Sequence, residues 1–220
     1  MSGGGPLGPS VWAVSDGRAG NASQVRAILQ ALGETRRWMK IAHIDGAAHR
    51  NDPVTLSPRT PWTWLPADKW PLLKYSIPAG QRSVLEGPWP TVWIAAGRRT
   101  APFTRAVRDL SGGKTMTIQI LDPNIPTDNF DMLVAPTHDG VSGPNVIDTI
   151  GSPSYFAPDQ IEDAGQSFAD LADERAKSAI VIIGGDSKTH TFSESAAERL
   201  EGQLRALAGL GWRLRITTSR

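Results

Sequence analysis

The 220-residue sequence contains no cysteine, which excludes disulfides and thiolate metal sites and fits a reducing compartment. It also lacks an excess of either charge. Lysine and arginine total 23 against 22 aspartates and glutamates, so net charge gives no reason to expect nucleic acid as a partner, and any anion site must be local. No run of 18 apolar residues occurs, so no segment is expected to span a membrane. The opening MSGGGPLGPS has neither the basic start nor the apolar core of a secretory leader, and residues 1–9 are expected to form a flexible tail. Metal and nucleophile signatures are missing too: His43, His49, His138 and His190 have no metal-ligand spacing, and there is no G-x-S-x-G elbow.

What is present is an ordinary globular balance, 40% hydrophobic and 20% charged, enough for one large or two modest domains. Three stretches share one plan of apolar strand, glycine-containing turn and amphipathic helix. The first has a strand at 11–14, the turn SDGRAGNASQ, and Val25, Ile28, Leu29 and Leu32 on one helical face, with Gly33 as the expected stop. The second has a strand at 92–96, the turn GRRT, and Phe103, Ala106, Val107 and Leu110. The third has a strand at 179–183, the loop GGDSK, and a helix facing inward through Ala197, Leu200, Leu204 and Leu207. Thr191 and Glu194 have capping-box spacing at its start, and Ser193 competes as the cap.

Shorter strands are expected near 39–44, 115–120, 131–135, 145–147 and 213–217. Alternating strands and helices predict an α/β fold with Rossmann-like parallel sheets. The division expected is a Rossmann-like N-terminal domain over 10–157, a helical connector over 158–176, and the start of a second, nucleotide-binding-type domain over 177–220. That second part holds only strand, helix and strand, so it is expected to be an incomplete domain. Residues 45–90 read as an irregular excursion with a short helix near 80–86. It carries Trp62, Trp64 and Trp70. The rings either lie at a membrane interface, as a peripheral contact, or pack as a loop over the sheet, and the second reading is favoured.

In open α/β sheets, ligands bind beyond the carboxyl ends of strands, where helix N-termini present free N–H groups. All three turns sit there. In the first, Gly17 and Gly20 permit close backbone approach, Asp16 is placed to orient a hydroxyl and Arg18 to meet an anion; the plainer reading is a turn capped by Asn21 or Ser23. In the second, Gly97 is followed by Arg98 and Arg99, with Thr100 as the natural N-cap and Pro102 in the first helical turn. Two cations at a helix N-terminus oppose its dipole. The arrangement makes better sense with an anion between the guanidinium groups and the N–H groups than with solvated arginines. In the third, Gly184, Gly185, Ser187 and Lys188 suit a phosphate cradle without matching a Walker A loop. Asp186 is expected to cap that loop or contact a sugar hydroxyl, and Thr218, Ser219 and Arg220 end the neighbouring strand beside it. His138, after the strand near 131–135, is either a general base or a turn histidine, the latter favoured.

Taken in order, VWAVSDGRAGNASQ, IAAGRRTAPFTRAVRDLSGGKTMTIQI, FDMLVAPTHDGVSGPNVI, IGGDSKTHTF and ITTSR resemble the bacterial branch of the mitochondrial fission Elongated Mitochondria family, from Ser10 to Arg220. Plant members of that family recruit a dynamin-like protein in mitochondrial division. Its architecture is similar to two-domain GT-B glycosyltransferases, with the acceptor taken by the N-terminal domain and the nucleotide-sugar by the C-terminal one. GGDSK is also similar to the Gly-Gly-Ser loop of the lipid-linked N-acetylglucosaminyl transferase of peptidoglycan synthesis. The resemblance implies a phosphorylated ligand or nucleotide-sugar in an interdomain cleft, bound without a resident cofactor or metal. Arg98 and Arg99 would line one side; Gly184, Gly185, Ser187, Lys188, Ser219 and Arg220 the other. If sugar is transferred, Asp16 or His138 is the candidate base for the acceptor hydroxyl. The rival expectation is a non-catalytic protein that binds a protein partner. A cytoplasmic location, with peripheral contact at the inner membrane, completes the reading.

Overall fold

Strands buried on both sides by helices need partners running the same way, and the first two thirds of the chain supply them out of sequence order. The computed structural model describes residues 10–35, 40–41, 53–154, 158–169, 177–186 and 190–218. The chain divides into two units, Met1–Tyr155 and Phe156–Arg220. In the first, β1 (Ser10–Ser15), β2 (Lys40–Ile41), β3 (Val54–Thr55), β4 (Val92–Ala96), β5 (Met116–Ile120), β6 (Met132–Pro136) and β7 (Val146–Thr149) form one parallel sheet. Its order is β2-β1-β4-β5-β6-β7, with β3 also on β1. β4 occupies one edge of β1 from Val11 to Val14. β2 pairs at Ser10 and Val11 and β3 at Val14 and Ser15, so these two short strands share the other edge end to end. The fold is α/β and Rossmann-like.

Helix α1 (Ala19–Thr35) follows β1, and α2 (Ala101–Leu110) follows β4. The chain leaves β1 towards β2 in one direction and β4 towards β5 in the other. Right-handed crossovers therefore put the two helices on opposite faces. The core records this alternation. Val11, Ala13, Ile94 and Ala96 meet Val25 and Leu29 of α1, while Val14, Trp93 and Ala95 meet Phe103 and Val107 of α2. The excursion thickens the α2 side: Leu56, Ile77 and Val84 are buried there, and Trp70 meets Phe103 edge to face at 6.1 Å. Each such fully buried apolar side chain contributes roughly 1.5–3 kcal/mol.

Several local expectations shift. α1 runs through Gly33 to Thr35, because packing through Ile28, Leu29 and Leu32 outweighs the roughly 1 kcal/mol that glycine costs a helix. The helix expected near 80–86 is a 3₁₀ segment over Ala79–Leu85. Of the strand expected at 39–44, Lys40–Ile41 falls among the described residues.

One ion pair ties α2 to the strands beneath it. Asp131 accepts from Arg108 Nε at 2.9 Å on one oxygen, and from the Thr117 N–H and hydroxyl at 2.8 and 2.9 Å on the other. Partial burial raises its pKa, but the Thr117 donors and the Arg108 guanidinium outweigh this and hold the carboxyl below its ordinary 3.8. A depressed folded-state pKa gives stability that is complete above 3.8 and is lost as pH falls through the lower folded value. Asp131→Asn is expected to cost about 1–3 kcal/mol at neutral pH. In urea titrations the gap to wild type should close below that range; equal midpoints at pH 7 would contradict the assignment.

In the second unit, α3 (Pro158–Ser167) precedes the parallel pair β8 (Ser178–Ile183) and β9 (Arg213–Thr218), which are joined through α4 (Glu194–Gly209). Ala179, Val181 and Ile183 are half-buried, while Ile180 and Ile182 point the other way and are exposed. α4 is capped by Ser193, whose hydroxyl accepts from the Ala196 N–H at 3.3 Å. The capping box from Thr191 is not made; with Ser193 as cap, Glu194 lies in the first turn, where the helix dipole favours a carboxylate.

Candidate ligand-binding crevice

The sheet reverses its order between β1 and β4, and the two turns that leave them diverge to opposite faces. Such a switch point opens a crevice at the carboxyl ends of the strands. The β1 side is built from short-range hydrogen bonds. Ser15 Oγ accepts from the Gly17 N–H at 3.2 Å, and Asp16 Oδ1 accepts from the Arg18 N–H at 3.3 Å and from Asn21 Nδ2 at 2.8 Å. Gly17 has φ +79°, and a Cβ there would meet Thr55 Cγ2 at 3.0 Å. α1 starts at Ala19, ahead of both Asn21 and Ser23, so neither caps it; Asn21 is spent on Asp16 instead. The Ala22 N–H closes the first turn onto the Arg18 carbonyl at 2.9 Å, which leaves the N–H groups before it without helical acceptors. At Gly20 an added Cβ would meet open space.

The β4 side leans on the β1 side. Gly97 has φ +89°, and its α-carbon lies so close to Asn21 that a Cβ would overlap the amide. Thr100 occupies the N-cap position of α2, yet its hydroxyl donates backwards to the carbonyls of Ala96 (3.0 Å) and Gly97 (2.8 Å). The expected cap is not made, because the helical backbone of Thr100 (φ −89°, ψ −23°) turns the side chain towards the preceding carbonyls. Beneath it lies a buried polar chain. Trp93 Nε1 donates to Thr104 Oγ1 at 3.0 Å, that hydroxyl donates to Gln119 Oε1 at 2.8 Å, and Gln119 Nε2 donates to the Gly97 carbonyl at 3.0 Å. Sequence reading missed Thr104 and Gln119. The available signal was a glutamine inside the apolar strand TMTIQI.

The two arginines divide. Arg98 Nη2 donates to the Leu65 carbonyl at 3.1 Å and so straps the excursion to the turn. Arg99, half-buried, has neither hydrogen bond nor ion pair among the described residues. Across the crevice the Arg18 side chain is 59% exposed, and its Nε stands 3.7 Å from Asp16 Oδ2, outside hydrogen-bond range. Two helix N-termini, one guanidinium with no partner among the described residues and one loosely held guanidinium give this turn a local positive character.

The remaining candidates lie elsewhere. His138 sits on a 3₁₀ turn after β6, 72% exposed, with Nε2 3.6 Å from Asp139 Oδ1. β6 is three strands from β1 in the sheet, about 14 Å at ordinary strand spacing, so His138 and Asp16 do not form one catalytic pair. In the second unit, Gly184 and Gly185 are exposed, and Asp186 Oδ1 accepts from the Phe192 N–H at 2.7 Å, so Asp186 ties off its loop. The β8–β9 register sets Thr218 beside Ile183, where that loop begins. Ser187, Lys188, Ser219, Arg220, His43 and His49 lie outside the described residues. Trp62 and Trp70 are engaged internally, their indole N–H groups donating to the Pro71 (2.6 Å) and Leu65 (3.4 Å) carbonyls, whereas Trp64 is 77% exposed. No described helix is long and apolar enough to cross a membrane.

Compared with known proteins, residues 19–220 match the family described as Mitochondrial fission ELM1. No curated protein matches the chain.

Proposed function

The chain belongs to the Mitochondrial fission ELM1 family, and from that premise we propose that it binds a phosphorylated ligand, of the nucleotide-sugar class, at the β1–β4 crevice of a glycosyltransferase-like scaffold. One observation carries the reading. Arg99 has no partner among the described residues, near the N-termini of two helices and on a turn held by the buried Gln119 chain, while its neighbour Arg98 is already used. A half-buried cation beside two positive helix ends is unfavourable unless an anion joins it. Glycosyl transfer is the proposed reaction class. An acceptor hydroxyl attacks the anomeric carbon and gives up its proton to the departing diphosphate, the bond from that carbon to the diphosphate breaks, and the developing charge on the leaving group is stabilised by N–H groups and guanidinium.

Calorimetric titration with pyrophosphate, UDP-glucose and GDP-mannose tests the binding step. Arg99→Ala is expected to weaken binding by roughly 10- to 100-fold, the range for a hydrogen bond to a charged group. Arg98→Ala is expected to lower the melting temperature and to change affinity far less. No saturable binding by the folded protein would end the reading.

A second reading, protein recruitment, has its own observation. Trp64 and Leu72 are 77% and 72% exposed on turns pinned together by the Trp62–Pro71 hydrogen bond. Should all three ligands fail to bind, Trp64→Ser with Leu72→Ser becomes the variant to test for loss of a protein partner.

A further inference from the structure

We infer that Asp16 recognises a ring hydroxyl of the ligand, and that Arg18 is the gate that opens to it: on binding, the Arg18 guanidinium leaves the carboxylate for the ligand's anionic group, and the hydroxyl takes its place on Asp16 Oδ2. The inference rests on the reading of the β1–β4 crevice as an anion site and adds the class of ligand, an anion that also carries a sugar hydroxyl.

The Asp16 side chain is 1% exposed, an extreme value for a carboxylate at the rim of a turn. Its two oxygens are treated differently. Oδ1 accepts from the Arg18 N–H and from Asn21 Nδ2, which fixes the carboxylate against the start of α1. Oδ2 is buried and accepts no hydrogen bond among the described residues. The nearby cation is the Arg18 guanidinium at 3.7 Å, too far to donate, on a side chain that is itself mostly in solvent. An unfilled acceptor in a buried carboxylate is costly, and it is filled at little further cost by an O–H donor.

The neighbouring side chains of the turn are already used locally. Asn21 holds the carboxylate and abuts Gly97, and Ser15 Oγ takes the Gly17 N–H. The unfilled Asp16 oxygen therefore lies beside a cation whose side chain is largely exposed. A bare anion engages Arg18 and Arg99 but offers Oδ2 no proton and meets a like charge beside it. A sugar phosphate supplies both: the phosphate draws Arg18 away, and a ring hydroxyl donates to the oxygen it uncovers. The carboxylate thus penalises phosphate and pyrophosphate and favours their glycosylated forms, a selection between ligands that share the same anionic group.

The test compares pyrophosphate with UDP-glucose and GDP-mannose on wild type and on Asp16→Asn, with melting curves to confirm folding. Asparagine keeps the Oδ1 acceptor for Asn21 and Arg18 and removes only the charged acceptor at Oδ2. The expected result has opposite signs. Affinity for whichever nucleotide-sugar binds falls by roughly 10- to 100-fold, while pyrophosphate binds as tightly or several-fold more tightly because the adjacent negative charge is gone. A fall in both, or no change in either, overturns the hydroxyl contact while leaving the anion site standing. Pyrophosphate binding without either nucleotide-sugar does the same. Binding of none of the three removes the crevice reading and the inference with it. Arg18→Ala leaves the carboxylate and its Asn21 contact intact and reads the gate separately: pyrophosphate affinity is expected to fall about 10-fold, and an unchanged value overturns the exchange.

Discussion

Gly97→Ala is expected to be the most damaging single substitution in the first unit, with a loss of roughly 3–5 kcal/mol of stability. Two independent costs add. A φ of +89° is a conformation that residues with a side chain rarely adopt, and the new methyl would occupy the space of the Asn21 amide. The amide cannot simply move, because it donates to Asp16 at 2.8 Å and Asp16 in turn holds the Arg18 N–H. Displacing it would open the start of α1 as well as the end of β4. A double-mutant cycle separates the costs. Asn21→Gly should return about 1–2 kcal/mol of the loss by removing the overlap, while the backbone strain persists. Simple additivity of the two substitutions would mean that the turns do not press on each other.

Gln119→Leu is expected to cost about 2–4 kcal/mol despite nearly conserving volume. Leucine at this fully buried position leaves the Gly97 carbonyl without its 3.0 Å donor and Thr104 Oγ1 without its 2.8 Å acceptor. Because Trp93 Nε1 also depends on that hydroxyl, the disturbance spreads along the chain of hydrogen bonds. The turn it supports carries Arg99, so affinity for pyrophosphate should fall along with stability. Thr104→Val, which removes the middle link, should produce the same pair of effects. A Gln119→Leu protein that keeps both its urea midpoint and its pyrophosphate affinity would show that the network neither stabilises the fold nor places the arginine.

How much of this could be read from sequence depends on distance along the chain. Helical and strand periodicity is local, so β1 with α1, β4 with α2 and β8 with α4 were legible, as was the position of the turns between them. Gly97 was legible as a turn glycine, but the reason only glycine fits lies in Asn21, on the other side of the sheet's switch point. Arg98 and Arg99 looked equivalent as neighbours. What distinguishes them is the Leu65 carbonyl, 33 residues upstream in a segment without regular periodicity. Thr100 read as a cap from its residue type, whereas its hydroxyl direction is set by a helical backbone that no single-residue preference reveals. Gln119 was visible as a polar residue among β-formers, but its role needed Thr104 and Gly97 to be brought beneath it by pairing of β4 with β5. The pattern that sequence gives best is which elements exist; the contacts that decide chemistry here are made between them.

The pairing of β1 with β4 also has a consequence in time. β1 and β4 pair across residues 81 positions apart, Val11 with Val92, and Ser10 and Thr91 exchange hydrogen bonds just beside them. Between them the chain must lay down α1, two short edge strands and the whole tryptophan-bearing excursion. At ordinary synthesis rates of about 5–20 residues per second, β1 leaves the ribosome roughly 4–16 seconds before its central neighbour exists. Until then Val11 and Val14 have only one edge to pair with, and the face that α2 will cover stays open. Long-range parallel pairing of this kind is slow to form and exposes apolar strand edges while it waits. Closing the switch point that gathers the crevice is therefore a delayed step of synthesis, during which the open edge of β1 needs protection from its neighbours.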